Sequence, residues 1–171
     1  MSVLSDIDNV LSKVKRIHMV GIGGSGMFPL AEILHAKGYK LSGSDNNESD
    51  ILKRVRKLGI PVFLGHAAEN LGDAEMVVQT AALLPNNPEI EEAKKRGIPI
   101  FSRAELFGAV SRHFDNCIAV AGTHGKTTVT SMIVHILYLT GKDPSAVIGG
   151  KLPTIDSYGR IGGSDIFVGE A

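Results

Sequence analysis

Ile118-Ala-Val-Ala-Gly122-Thr-His-Gly-Lys126-Thr-Thr128 decides how the chain is read. A short apolar run ends in a glycine turn. A lysine and two threonines follow, and then an apolar stretch at helical spacing over about 126–140. Strand, turn and helix in that order bring backbone N–H groups, a helix dipole and one ammonium onto a single anion. The spacing departs from the common G-x-x-x-x-G-K-[ST] form, because the residue five before Gly125 is Val120. The chemistry survives the tighter turn. Gly125 allows close approach, Lys126 meets the β- and γ-phosphates, and Thr127 can offer its hydroxyl to Mg²⁺. Lysine opens a helix badly, because the dipole there is positive, unless an anion is bound. The candidate nucleotide contacts are Gly122, Thr123, His124, Gly125, Lys126, Thr127 and Thr128, with Lys126 the candidate catalytic group. The plain alternative is an exposed lysine in an ordinary turn.

About a hundred residues upstream lies a second glycine loop. Arg16–Val20 reads as a strand, and Gly21-Ile-Gly23-Gly24-Ser25-Gly26 follows it directly. Met27, Leu30, Ala31 and Leu34 then recur at helical spacing up to Gly38, with Pro29 tolerable only in the first turn. Lys40–Ser44 is a second strand, ending at Asp45. This is the strand–loop–helix–strand–acid order of a nucleotide fold, with the acid placed to accept from a ribose hydroxyl. The pattern says nucleotide diphosphate and does not choose between NAD and another carrier.

Between the two loops, strands alternate with helices. Ser49 caps one helix, Asn87-Pro88 opens another, and Ser102 with Glu105 has the capping-box spacing. Strands are expected at 60–64, 76–80 and 98–101. Such alternation predicts an α/β protein with a parallel, Rossmann-like sheet over residues 1–113. Phe114-Asp-Asn116 reads as a link to a second α/β unit over 114–171, the P-loop unit. Strands are expected there at 118–121, 146–148 and 166–168, with a glycine-rich loop over 149–163. Val129, Met132, Ile133, Ile136, Leu137 and Leu139 leave the long helix little polar face, so it is expected to be well buried. Three strands and one helix are few for such a unit. The second unit is expected to be incomplete, with any further domain absent.

Composition narrows the partners. The 171 residues carry 18 basic and 18 acidic side chains, so no field of one sign favours nucleic acid or an anionic membrane. One cysteine, Cys117, excludes an intrachain disulfide framework and fits a reducing compartment. The N-terminus has no basic region ahead of an apolar core, and no apolar run is long enough to span a bilayer. A cytoplasmic protein is expected.

Other residues are weighed singly. Glu170 closes a strand expected near the 122–128 loop, and either helps hold Mg²⁺ or is one more acid at a strand end. His66 sits at the carboxyl end of a strand, where open sheets bind ligands. Thr80-Ala81-Ala82 is small enough to admit a ligand, or is a plain loop. Cys117 reads as a small buried residue, and Glu89–Arg96 as a solvated helix face. His18, His35, His113 and His135 read as packing or surface groups.

Two nucleotide loops in adjacent α/β units, carried by Ile17-His-Met-Val-Gly-Ile-Gly-Gly-Ser-Gly-Met27, Ser42-Gly-Ser-Asp45 and Gly122-Thr-His-Gly-Lys-Thr-Thr128, resemble the Mur ligases of bacterial cell-wall synthesis. The pattern lies closest to the alanine-adding branch, whose substrates are UDP-N-acetylmuramate and L-alanine. The resemblance implies three domains, the first for the UDP-sugar, the second for ATP and the third completing the site. It implies that Gly21, Gly23, Gly24, Ser25 and Gly26 hold the UDP diphosphate, with Asp45, His66, Thr80, Ala81 and Ala82 along the same cleft. It implies ATP and Mg²⁺ as cofactors, with Thr127 and Glu170 at the metal, and amide formation through an acyl phosphate. Two other readings stay open: an NAD-binding redox module, and a non-catalytic nucleotide-binding module that associates with another chain or with itself.

Overall fold

A computed structural model describes residues 3–81 and 86–170, with backbone alone for 3–5. The elements are α1 (Val3–Leu11), β1 (Arg16–Val20), α2 (Phe28–Ala36), β2 (Lys40–Asp45), α3 (Asp50–Lys57), β3 (Val62–Leu64), β4 (Met76–Gln79), α4 (Pro88–Arg96), β5 (Ile100–Ser102), α5 (Arg103–Ser111), β6 (Asn116–Val120), α6 (Lys126–Leu139), β7 (Ser145–Leu152), β8 (Ser157–Arg160) and β9 (Ile166–Glu170). They build two sheets. The first runs β3-β2-β1-β4-β5 with every pair parallel. The second runs β6-β9-β7-β8, parallel except for the β7–β8 pair. The fold is α/β with a Rossmann-like first sheet, as expected.

Local signals set the helix ends. Ser49 accepts from the Leu52 N–H, Asn87 accepts from Glu89 and Ile90, and Ser102 with Glu105 closes a full capping box. Pro29 lies in the first turn of α2, where no intrahelical donor is lost. The helices that follow the glycine loops differ. Neither Met27 at the start of α2 nor Gly125 at the start of α6 supplies a side-chain cap.

The two mostly apolar helices α2 and α6 have different fates. Phe28, Pro29, Leu30, Ala31, Ile33 and Leu34 of α2 are all buried, because α2 lies between the first sheet and β7–β8 of the second. Phe167 of β9 joins the same core, with its ring centroid 5.5 Å from Phe107 and 5.1 Å from Phe114. In α6 only Thr130 and Val134 are buried. One side of α6 packs on Ala146, Ile148 and Val168, while Val129, Met132, Ile136 and Leu139 are exposed. This corrects the expectation of a well-buried helix: an apolar face is buried only where a second layer meets it, and among the described residues none meets this one.

Three further expectations change. Cys117 is exposed, because β6 is an edge strand. The glycine-rich stretch 149–163 is an antiparallel hairpin for most of its length, since β7 runs on to Leu152 and returns as β8. Along Glu89–Arg96, Glu91, Lys94, Lys95 and Arg96 are exposed, but Glu89 is buried. No described helix is long and apolar enough to cross a membrane.

Candidate functional site

The order β3-β2-β1-β4-β5 reverses direction between β1 and β4, and open parallel sheets leave a crevice at the carboxyl ends of strands beside such a switch. Gly21 leaves β1 there with φ +82°, a conformation that glycine adopts without strain. The Gly21 and Ile22 N–H groups donate to Ser44 O, and the Gly24 N–H donates to Gly21 O. Asp45 fastens the loop from β2. Its Oδ2 accepts from the Gly23 N–H at 2.9 Å and its Oδ1 from the Asn47 N–H at 3.1 Å. The carboxylate keeps lone pairs for a further donor. Among the described residues the N–H groups of Ser25 and Gly26 have no hydrogen-bond partner.

The second loop leaves β6 at Gly122 and enters α6 through Gly125, at φ +78°. It is open to solvent from Gly122 to Gly125. The uncapped first turn of α6 presents its N–H groups. Lys126 Nζ donates to Gly122 O at 2.6 Å, so the ammonium lies over the loop. Glu170, at the end of β9, accepts from Thr127 Oγ1 at 3.0 Å and from the Gly149 N–H at 2.7 Å. Two hard oxygens from remote segments are thus adjacent at the loop. That pair suits Mg²⁺, which takes few protein oxygens and completes its shell with phosphates and water.

The two loops face one cavity of about 300 Å³. Gly24, Ser25, Gly26, Met27 and Thr80 line it from the first sheet, and Lys126, Val147, Gly149 and Glu170 from the second. Arg103, the first residue of α5, also lines it and was not singled out by the sequence reading. A methyl group at Gly26 would stand 3.2 Å from Arg103 Nη1. The signal that could have found Arg103 is its position just after β5, at a carboxyl end of the same sheet. Asp45, His66 and Ala81 do not line this cavity, and Ala82 lies outside the described residues. Thr127 and Thr128 line a neighbouring hollow of about 380 Å³ with Met132, His135 and Lys151.

His66 belongs instead to a buried network. Glu89 Oε2 accepts from Ser44 Oγ at 2.6 Å and from His66 Nδ1 at 2.9 Å, while its Oε1 accepts from Asn70 Nδ2 at 2.7 Å. His18 Nε2 stands 3.4 Å from Oε1, and His18 Nδ1 shares a hydrogen bond with Ser42 Oγ at 2.8 Å. His66 Nδ1 also lies 3.0 Å from Ser44 Oγ, so the three groups form one cluster. Burial is the largest influence on Glu89 and pushes its carboxyl up. The contacts to His18, Ser44 and Asn70 together outweigh it and hold the group below the usual carboxylate range. The sequence pattern hid Glu89, since it heads a run of charges that are otherwise solvated.

The comparisons agree with this architecture. A family model described as "Mur ligase family, catalytic domain" matches residues 16–115, a span that ends before the 122–128 loop. A UDP-N-acetylmuramate–L-alanine ligase from Sulfurihydrogenibium sp. is 47% identical over 159 residues, covering 93% of this chain and 35% of that protein. The crystal structure of a UDP-N-acetylmuramate-alanine ligase from Thermotoga maritima superposes with a TM-score of 0.84 at 36% identity, covering 91% of this chain and 36% of the other. A UDP-N-acetylmuramate:L-alanyl-gamma-D-glutamyl-meso-diaminopimelate ligase from Neisseria meningitides gives 0.83 at 32% identity, covering 92% and 52%. The chain therefore spans about a third of the length of the curated relatives it matches. With more than half of its residues inside the matched span, the chain belongs to the Mur ligase family.

Proposed function

We propose that this chain carries the UDP-sugar and ATP-phosphate sites of a peptidoglycan-precursor ligase that joins L-alanine to UDP-N-acetylmuramate at the expense of ATP. Residues 1–113 form the UDP-sugar domain in this reading, and 114–171 belong to the ATP domain. The observation that carries it is the shared cavity, with Ser25 and Gly26 on one wall and Lys126 on the other. Such a cleft suits a transfer between two bound anions better than a single cofactor site. The similarity in sequence to alanine-adding relatives, at 47% identity, supports the alanine-adding branch over the tripeptide-adding one.

In the proposed reaction the Gly21–Gly26 loop fixes the UDP-sugar, with Thr80 beside it in the cavity. Gly122–Thr128 fixes the ATP phosphates. The lactyl carboxylate attacks the γ-phosphorus, the bond to ADP breaks, and an acyl phosphate forms. The amine of L-alanine then attacks the acyl carbon and phosphate leaves. Lys126 offsets charge on the transferring phosphoryl oxygens, so its contribution is positioning and electrostatics. Thr127 and Glu170 would hold Mg²⁺, which supplies further positive charge to those oxygens when bound. The protein is read as cytoplasmic, where its nucleotide substrates are made. The apolar face of α6 is read as a surface for self-association of this chain.

Calorimetry of the 171-residue chain with UDP-N-acetylmuramate tests the reading. Binding is expected, without turnover on adding ATP and L-alanine. The absence of both heat and a thermal shift at millimolar ligand, or a preference for NAD(H), overturns it and favours a purely structural role or the redox-module alternative.

A further inference from the structure

We propose that Arg103 is the cation that receives the diphosphate of the UDP-sugar on the first sheet's side of the cleft. The assignment rests on the UDP-sugar reading of Gly21–Gly26 and adds to it a side chain nearly eighty residues downstream.

Arg103 is not where local structure would put a cation. It is the first residue of α5, at the positive end of the helix dipole. Capping does not explain it, because Ser102 and Glu105 already cap that end. The acid on the same helix turn is committed elsewhere: Glu105 Oε2 accepts from the Ser102 N–H and from Ser102 Oγ, each at 2.7 Å. Across the cavity Glu170 accepts from Thr127 and Gly149. Among the described residues no carboxylate or carbonyl bonds to the Arg103 guanidinium. The group is half-buried, lines the cavity and lies over Gly26.

Arg103 therefore lines one small space with Ser25 and Gly26, whose N–H groups are unpaired. A planar set of donors beside backbone N–H groups matches tetrahedral phosphate oxygens, which a guanidinium grips through two bonds at once. A diphosphate fits this position better than the γ-phosphate of ATP, because Arg103 touches the first glycine loop and Lys126 serves the second. Were Arg103 only packing its stem on Gly26, its charge would be indifferent to any ligand.

Calorimetry of the wild-type chain, Arg103→Ala and Arg103→Lys with UDP, UDP-N-acetylmuramate and ATP–Mg²⁺ separates these cases. Arg103→Ala is expected to weaken UDP and the UDP-sugar alike, by roughly 10- to 100-fold, the range for losing hydrogen bonds to a charged group. Arg103→Lys should recover part of the loss, and ATP affinity and melting temperature should stay at wild-type values. Wild-type UDP affinity in Arg103→Ala overturns the assignment. So does a loss confined to the UDP-sugar, which would place the contact on the sugar's carboxylate, or a loss confined to ATP. A wild-type chain that binds neither UDP compound removes the reading of the loop and this assignment with it. A binding wild type with an indifferent Arg103→Ala removes only the assignment.

Discussion

Thr127 Oγ1 and Glu170 Oε2 are 43 residues apart in sequence and 3.0 Å apart in space. The contact joins the first turn of α6 to the end of β9, through strand pairing that sets Val120 opposite Glu170. If these oxygens serve Mg²⁺, Glu170→Ala should weaken ATP binding by about tenfold in Mg²⁺ and leave it unchanged in EDTA, since only a metal-linked loss needs the metal. Calorimetry under both conditions reads the difference. An equal loss in EDTA would assign Glu170 to loop structure alone.

Lys126 now leans on Gly122 O, a weak partner for an ammonium. In a full-length protein Lys126→Ala is expected to abolish ATP turnover, by at least about 10³-fold, because charge on the transferring phosphoryl group loses its counter-cation. UDP-N-acetylmuramate affinity should stay within about twofold of wild type. Steady-state kinetics and calorimetry give the two numbers. Parallel loss of both would contradict the division of the cleft into two sites.

Glu89→Ala strands Ser44, His66 and Asn70 without their acceptor inside the protein. A loss of about 2–4 kcal/mol in chemical denaturation is expected. The pH dependence follows from the direction of the shift. The folded carboxyl is held below its ordinary value of 4.5, so its contribution is present above that value and is lost as pH falls through the folded pKa. Wild type should therefore lose stability more steeply below pH 4.5 than Glu89→Gln does. Parallel acid limbs would show that the network does not hold the charge.

Glu32 is expected to act in the opposite sense. It lies on α2 with a buried Oε2 that lacks a hydrogen-bond partner, and its pKa is pushed up to about 7 by burial, with Arg54 pulling it down. A carboxyl raised in the folded state contributes fully below its unfolded pKa of 4.5, and the contribution is lost as pH rises through 7. Replacing it with neutral glutamine should flatten that decline and leave the variant about 1–2 kcal/mol more stable than wild type at pH 8, allowing for solvent screening. Denaturation at pH 5 and pH 8 gives the difference. A variant that is no more stable at pH 8 sinks the prediction.

The outer face of α6 carries Met132 and Ile136 at 60% exposure and Leu139 at 64%. Apolar residues in such a row favour association. Sedimentation is expected to show concentration-dependent association of the 171-residue chain, reduced by Ile136→Lys. A clean monomer at high concentration would remove the surface from consideration.

Much of the architecture is legible locally. Caps at Ser49, Asn87 and Ser102 are fixed by hydrogen bonds within three residues, and the βαβ alternation follows from apolar spacing along each segment. The positions of both glycine loops follow from their motifs, whereas the positive φ of Gly21 and of Gly125 belongs to the folded backbone. Family membership is also a property of the motifs and their order.

What could not be read locally depends on what packs against what. Nothing in the pattern of α2 and α6 separates a helix covered on two sides from one covered on one. Glu89 looks like its solvated neighbours until Ser44, His66 and Asn70 are folded around it. Arg103 is ordinary until α5 brings its guanidinium over Gly26. The α/β class and the two glycine loops are legible in the order of residues alone. That the loops open on one cavity, and which charges line it, emerges on folding, because burial and electrostatics arise from contacts between segments that no local window contains.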